Sequence, residues 1–185
     1  MISLVYVQKP FLSFSKSSPD RLPHGGTGDA RGLGKFRVTR VHDGDTISIR
    51  VSGFAKLPIK TERVRLIGID APELRQEPWG WLAKKQLKKL ISESDWVVNV
   101  EFDVEQRDKY GRLLGYLWGK DGRMINETML ESGYAVLFTL PPNVKYAGRF
   151  TAVQKRAKAA RAGIWSKGGL IRESPYEWRR RHPRD

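Results

Sequence analysis

The chain has 185 residues, 34 Lys and Arg against 20 Asp and Glu, and a formal net charge of +14 at pH 7. This length predicts one folded domain with extensions, and the charge favours a polyanionic partner, nucleic acid first and an anionic membrane surface second. The absence of cysteine excludes disulfides, thiolate metal sites and a cysteine nucleophile. No apolar run approaches the roughly 20 residues that span a bilayer, and the first residues show no signal-peptide pattern.

The predicted organisation is a flexible N-terminal arm, one domain and a basic C-terminal tail. The arm, residues 1–34, mixes Pro, Ser, Gly and charged residues without periodicity. The domain, residues 35–166, carries the strand and helix patterns. The tail, residues 167–185, interleaves arginines with Tyr176 and Trp178. That composition suits base stacking and phosphate binding, but a solvated end without regular structure is the simpler interpretation.

Short strands dominate the predicted domain. Apolar and polar residues alternate, or β-branched residues cluster, in five segments: 36–42, 46–51, 62–69, 96–103 and 113–118. Helical periodicity occurs in three segments: 78–92, 126–132 and from Phe150 to Gly163. Five short strands with late helices predict an α+β fold, a five-stranded OB-fold barrel with about three α-helices.

Two acidic clusters stand at strand ends in this basic chain. Asp43-Gly44-Asp45 alone has the composition of a tight hairpin turn. Likewise, Asp70-Ala71-Pro72-Glu73 alone could be a strand exit in which the proline fixes φ. Together, however, carboxylates from two strand ends supply the hard oxygen ligands that Ca²⁺ prefers. The pair therefore suggests a metal site.

Arginines near these clusters suggest a phosphate-binding function. Arg65 lies on the third predicted strand, and Arg112 ends the segment Asp108–Arg112. A guanidinium group matches phosphate oxygens bidentately and stays charged at any working pH. Either arginine alone is ordinarily a surface residue. Combined with the acidic clusters, they predict a metal-dependent phosphodiesterase acting on nucleic acid.

One geometric condition follows from the strand pattern. Strict alternation from Arg65 places Asp70 on the opposite face of the strand. Both residues can serve one site only if the strand turns or bulges between Gly68 and Asp70.

Four motifs, in order and spacing, resemble the thermonuclease family typified by staphylococcal nuclease. They are Val41–Thr46, Arg65–Glu73, Asp108–Arg112 and Gly163–Trp165. The similarity extends from about Phe36 to Trp165. It implies an OB-fold barrel with three helices and calcium-dependent hydrolysis of DNA and RNA. In that family the products carry 3′-phosphate and 5′-hydroxyl ends.

The resemblance also implies a set of metal ligands. Asp45, Asp70 and the main-chain carbonyl of Ala71 match the residues that bind the ion, and Asp43 matches a nearby acid. The family typically has threonine at position 71, but alanine should preserve a main-chain ligand. A second departure is the segment 136–143, which lacks the tyrosines that contact the nucleotide in the staphylococcal enzyme.

Catalytic and substrate-binding roles are implied in the same way. Glu73 matches the proposed general base, Arg65 and Arg112 match the phosphate-binding pair, and Lys109 and Tyr110 match residues that line the nucleotide site. The expected substrates are DNA and RNA, and the expected state is a monomer.

Two other functions are compatible with the sequence. An OB-fold module can bind nucleic acid or protein without catalysis, and an arginine-rich tail can bind an anionic membrane or cell surface. A weak all-oxygen calcium site suits the millimolar calcium found outside cells, which favours an extracytoplasmic location.

Overall fold

The computed structural model describes residues 34–51, 60–167, 171 and 173–183. Within these ranges the strands are β1 (Gly34–Val41), β2 (Thr46–Val51), β3 (Lys60–Leu66), β4 (Gly68–Asp70), β5 (Val97–Glu101), β6 (Leu113–Trp118) and β7 (Val136–Phe138). The helices are α1 (Trp79–Glu93), α2 (Ile125–Glu131), α3 (Ala147–Ala159) and α4 (Pro175–Arg181), with a 3₁₀ turn at Gly163–Trp165. The predicted arm lies outside the described residues except for Gly34.

Five strands form a closed barrel in the order β1-β2-β3-β6-β5. The pairs are antiparallel except for β3 and β6, which run parallel. The interior is apolar, and Ile47, Ile49 and Val64 are completely buried. This arrangement confirms the predicted α+β fold with a five-stranded OB-fold barrel.

Helix α1 covers the barrel with the apolar stripe that its sequence predicts. Ala83, Leu87 and Ile91 follow one another at four-residue spacing and are fully buried, so they lie on one helical face. Helix α2 ends before Gly133, whose φ of 68° suits a residue without a Cβ at a helix C-terminus. Among the described helices, none combines the length and apolar character that a bilayer span requires.

The third predicted strand is divided in the structure. Strand β3 ends at Leu66, and Gly68 adopts a φ of 80°. The chain thereby leaves the barrel and forms β4, which pairs antiparallel with β7. The prediction of one strand over 62–69 was wrong at its end, because residue alternation carries no signal for a positive φ. The short strand β7 was not predicted.

The tail contains a helix that was not predicted. Ser174 caps α4: its Oγ accepts a hydrogen bond from the Glu177 N–H (3.2 Å), and the Glu177 carboxylate accepts one from the Ser174 N–H (2.8 Å). Pro175 occupies the first helical turn, where the missing N–H has no cost, and it is buried.

Candidate active site

The two acidic segments meet at one arginine. Arg65 Nη2 lies 3.1 Å from Asp45 Oδ2 and 3.0 Å from Asp70 Oδ1. Asp45 is 7% exposed and Asp70 is 1% exposed. Two carboxylates from the ends of different strands are therefore held together in a part of the molecule that is almost inaccessible to solvent.

The bend at Gly68 makes this meeting possible. Arg65 Nη1 donates to the carbonyl oxygens of Leu66 and Ile69, both at 2.8 Å, so the backbone wraps around the guanidinium group. A Cβ on Gly68 would lie 2.4 Å from Cε2 of Phe150. Close packing and positive φ both require glycine here. The structure thus meets the condition that the strand must turn or bulge near Gly68 to Asp70, since the turn lies at Gly68.

The Asp45 carboxylate is fixed by short-range hydrogen bonds. Thr46 Oγ1 donates to Oδ1 (3.0 Å), and the Ala71 N–H donates to Oδ2 (2.8 Å). The Asp45 N–H donates to Asp43 Oδ1 (3.0 Å), which forms the turn that the Asp-Gly-Asp sequence predicted. A Cβ on Gly44 would lie 2.5 Å from Cβ of Ala71, so the first acidic turn packs directly against the second acidic segment.

We call Asp43, Asp45, Asp70 and Glu73 the acidic cluster. Burial, followed by the neighbouring Asp45 carboxylate, raises the pKa of Asp43 to about 7. Burial also raises the pKa of Asp70, although nearby arginines oppose this change. Burial is the first cause of both shifts, so these carboxylates lie where little solvent stabilises their charge. A bound cation would favour their ionised form.

The donors in the acidic cluster fit a hard cation such as Ca²⁺, because all of them are oxygens. Among the described residues, however, no group of three or more His, Cys, Asp and Glu side chains is arranged to hold a metal ion by itself. Main-chain carbonyls, water or substrate oxygens would have to complete the coordination. The predicted ligand set of two aspartates and the carbonyl of Ala71 has this character.

The basic turn, residues Asp108–Arg112, forms a second group. Asp108 organises it by accepting hydrogen bonds from the N–H groups of Tyr110 (2.9 Å) and Arg112 (3.0 Å). Arg112 Nε and Nη2 each lie 2.7 Å from Asp108 Oδ2. The exposed Tyr110 ring lies beneath both Lys109 Nζ (5.1 Å) and the Arg112 guanidinium group (5.5 Å). Its charged and aromatic groups therefore lie next to one another on one turn.

Strand pairing positions the basic turn relative to the acidic cluster. Leu113, which follows the turn, pairs with Val64 of β3, and Leu114 pairs with Arg65. The basic turn therefore leads directly into β6, which runs beside β3, the strand that carries Arg65.

The structure adds a residue that the sequence analysis did not identify. Arg179 of α4 forms a bidentate ion pair with Asp70, with Nη2 2.8 Å from Oδ2 and Nη1 3.0 Å from Oδ1. Arg179 Nη1 also donates to Glu73 Oε1 (3.1 Å). The Ser174–Glu177 capping pattern is a sequence signal for the helix, but nothing in the sequence indicates the partners of Arg179.

Comparisons with known proteins show which family this chain resembles. A family model described as "Staphylococcal nuclease homologue" matches residues 63–167. The thermonuclease of Staphylococcus intermedius is 38% identical over 144 residues, which are 75% of this chain and 80% of that protein. In Bacillus subtilis (strain 168), endonuclease YncB is 37% identical over 72% of this chain and 63% of its own length. The SPbeta prophage-derived endonuclease YokF of the same organism is 35% identical over 75% of this chain.

The relatives differ in length. The matched region spans 46% of YokF and 63% of YncB, so this chain corresponds to about half to two thirds of those two proteins.

Proposed function

The chain belongs to the family of staphylococcal nuclease homologues, and from this membership and the geometry of the acidic cluster we propose that it is a calcium-dependent nuclease. Its substrates would be DNA and RNA, cleaved without sugar specificity to leave 3′-phosphate ends, and it would act as a monomer. The observation that carries the proposal is the convergence of Asp45 and Asp70 on Arg65 at 3.0–3.1 Å.

Asp45, Asp70 and the carbonyl of Ala71 are the proposed metal ligands, with Asp43 nearby. When bound, a calcium ion would supply positive charge to the phosphate oxygens and so stabilise the charge that develops during hydrolysis. The chain contributes a fixed carboxylate at Asp45, which Thr46 and the Ala71 N–H orient. Hydrogen bonds of this kind hold metal ligands in the correct rotamer.

Arg65 and Arg112 are the proposed phosphate-binding residues. A phosphodiester resists hydrolysis because its anionic oxygens repel a nucleophile, so cations must surround it in the transition state. Two carbonyl groups and two carboxylates fix the Arg65 guanidinium group before substrate arrives. Arg112 would exchange its contact with Asp108 for a contact with phosphate.

Glu73 is the proposed general base. It lies beside Asp70, since both carboxylates contact Arg179 Nη1, and its backbone N–H donates to Gln76 Oε1 (2.9 Å). From this position it could accept a proton from an attacking water, a contribution of about 10² to 10⁴-fold. Lys109 and Tyr110 would line the nucleotide site, where the exposed ring can stack on a base.

Cleavage of single-stranded DNA and RNA, measured with Ca²⁺ and with excess chelator, tests this function. Wild-type protein should cleave both polymers with Ca²⁺ and neither with chelator. Glu73→Ala should reduce the rate by about 10² to 10⁴-fold, whereas Glu131→Ala, at an exposed glutamate on α2, should not change it. Binding of nucleic acid without cleavage would instead identify a non-catalytic module.

A further inference from the structure

Helix α4 is attached to the active-site loop through a buried glutamine. Gln76 is 8% exposed. Its Nε2 donates to the carbonyl oxygen of Glu173 (3.4 Å), just before α4, and its Oε1 accepts the Glu73 N–H (2.9 Å). One side chain therefore connects the segment that carries the proposed base to the start of the C-terminal helix.

A second attachment lies on the strand pair that carries Asp70. The Tyr176 ring of α4 stacks on Phe138 of β7, with ring centroids 6.4 Å apart and an interplanar angle of 27°. In the β4–β7 pair, Phe138 is opposite Gly68 and Val136 is opposite Asp70. Helix α4 thus rests on the structure that forms the bend of the active site.

Arg179 bridges two carboxylates of different proposed roles. Its Nη1 contacts both Asp70 Oδ1 (3.0 Å) and Glu73 Oε1 (3.1 Å), while Nη2 contacts Asp70 Oδ2 (2.8 Å). Two carboxylates this close repel each other, and a guanidinium group between them removes that repulsion. The planar fork also fixes their relative orientation, which a point charge could not do.

We propose that Arg179 is a positioning residue of this active site, which fixes the Glu73 carboxylate relative to Asp70 and makes α4 a part of the catalytic structure. The proposal rests on the nuclease function proposed above. Glu73 has rotatable side-chain bonds and an 18% exposed side chain, and the contact with Arg179 restricts the positions that its carboxylate can take relative to a bound water.

Arg179 pairs with both carboxylate oxygens of Asp70, a proposed metal ligand, so positioning of the site and blockage of the site are the two roles that experiment must separate. Arg179 binds the Asp70 and Glu73 side of the acidic cluster. The Asp45 carboxylate is held instead by Arg65, Thr46 and the Ala71 N–H. The Asp45 side of the proposed metal site therefore stays outside the contact with α4.

Three variants of the full chain test the proposal: Arg179→Ala, Arg179→Lys and, as a matched control, Arg180→Ala at the adjacent exposed arginine. We expect kcat of Arg179→Ala on single-stranded DNA to fall about 10- to 100-fold with little change in KM. Arg179→Lys should recover only part of this loss, because an ammonium group cannot bridge as a fork. The control should match wild type.

Chemical rescue separates positioning from a purely structural role. Added guanidinium ion at non-denaturing concentration should restore part of the activity of Arg179→Ala but none of that of Glu73→Ala. Thermal unfolding and calorimetric calcium titration of the same samples report folding and metal affinity. This rescue remains informative if the alanine variant is less stable, and Arg179→Lys provides a second test.

The proposal is overturned if Arg179→Ala retains wild-type kcat. It also fails if kcat rises while calcium binds more tightly, since Arg179 would then block the site. A loss of kcat that follows loss of folding, without rescue by guanidinium or lysine, assigns Arg179 a structural role only. If wild-type protein does not cleave with Ca²⁺, the proposed function itself is wrong, and the positioning role is rejected with it.

Discussion

The two arginines proposed to bind phosphate have very different surroundings. The Arg65 side chain is 14% exposed and is held by two backbone carbonyls and two carboxylates of the barrel edge. The Arg112 side chain is 29% exposed and contacts Asp108 and Tyr110 within its own turn. The proposed site thus has a fixed half, held by the barrel around Arg65, and an adjustable half, held by the surface turn that carries Arg112.

This difference indicates separate functions for the two halves. Moving Arg65 would leave buried charged groups without partners, which lowers the free energy of unfolding strongly. Moving Arg112 would break a partly exposed ion pair with Asp108, and exposed pairs typically contribute about 1 kcal/mol or less. We therefore propose that the acidic cluster provides preorganised charge and that the basic turn adjusts to its substrate.

The largest expected effect comes from breaking the fixed half. Asp45→Asn removes a proposed metal ligand, so cleavage with Ca²⁺ should fall by about 10³-fold. Wild-type protein should also gain about 2.7 kcal/mol of unfolding free energy at a calcium concentration of 100 Kd, and the variant should lose this gain. Asp121→Asn, at an aspartate whose side chain is 46% exposed, is the control. Normal calcium stabilisation of Asp45→Asn would remove Asp45 from the metal site.

The next effect concerns the adjustable half. Arg112→Ala should reduce kcat by about 10²-fold, because a phosphate-binding charge is lost in the transition state. Stability should change by about 1 kcal/mol or less. Arg123→Ala breaks a comparable surface pair with Asp121 and should leave kcat unchanged. A large loss of stability in Arg112→Ala would contradict the assignment of the basic turn as an adjustable element.

A third effect, on stability and not on turnover, should follow from placing a side chain at the bend. Gly68→Ala combines a φ of 80° with a Cβ position 2.4 Å from Phe150, whereas Gly122 has a φ of 76° and nothing within 4 Å. Chemical denaturation should show Gly122→Ala destabilised by about 1 kcal/mol and Gly68→Ala by about 2 kcal/mol more. Equal values for the two variants would mean that the bend tolerates the extra methyl group.

The smallest expected effect is a pH dependence beside the fixed half. Burial, followed by the charges of Arg63, Arg40 and Lys84, lowers the pKa of His42 below its ordinary value of 6.5. As the pH falls, His42 therefore binds a proton in the unfolded chain at a higher pH than in the folded chain. Protonation of His42 should thus lower the free energy of unfolding between about pH 7 and pH 5. His42→Gln should weaken this decline in unfolding free energy. An unchanged or steeper decline would contradict the assigned shift.

The sequence was sufficient to predict the barrel because its strands have a simple pattern. Residues such as Ile47 and Ile49 alternate with others and face one core, and the helix with Ala83 and Leu87 repeats its apolar residues every four positions. These periodicities are direct consequences of burial on one face. The same alternation showed only that Arg65 and Asp70 could serve one site if the strand bent near Gly68, and it carried no signal for the positive φ that makes the bend.

Other parts could not be predicted because their causes are tertiary. Strand β7 has only three residues and exists through its pairing with β4. The role of Arg179 depends on the docking of α4 over a loop about 100 residues earlier in the chain, a contact that local pattern does not encode. The capping residues Ser174 and Glu177 are a local signal for the helix itself, which the prediction of an irregular tail overlooked.

Calcium bound at the acidic cluster is proposed to enable phosphodiester hydrolysis. The most direct measurement is a calcium titration in which the cleavage rate and the heat of calcium binding are recorded on the same wild-type samples, alongside Asp70→Asn. We expect the cleavage rate and the calcium binding of the wild-type protein to saturate at the same calcium concentration, and Asp70→Asn to lose both. Cleavage that persists in excess chelator, or calcium binding and cleavage retained by Asp70→Asn, would contradict the proposal.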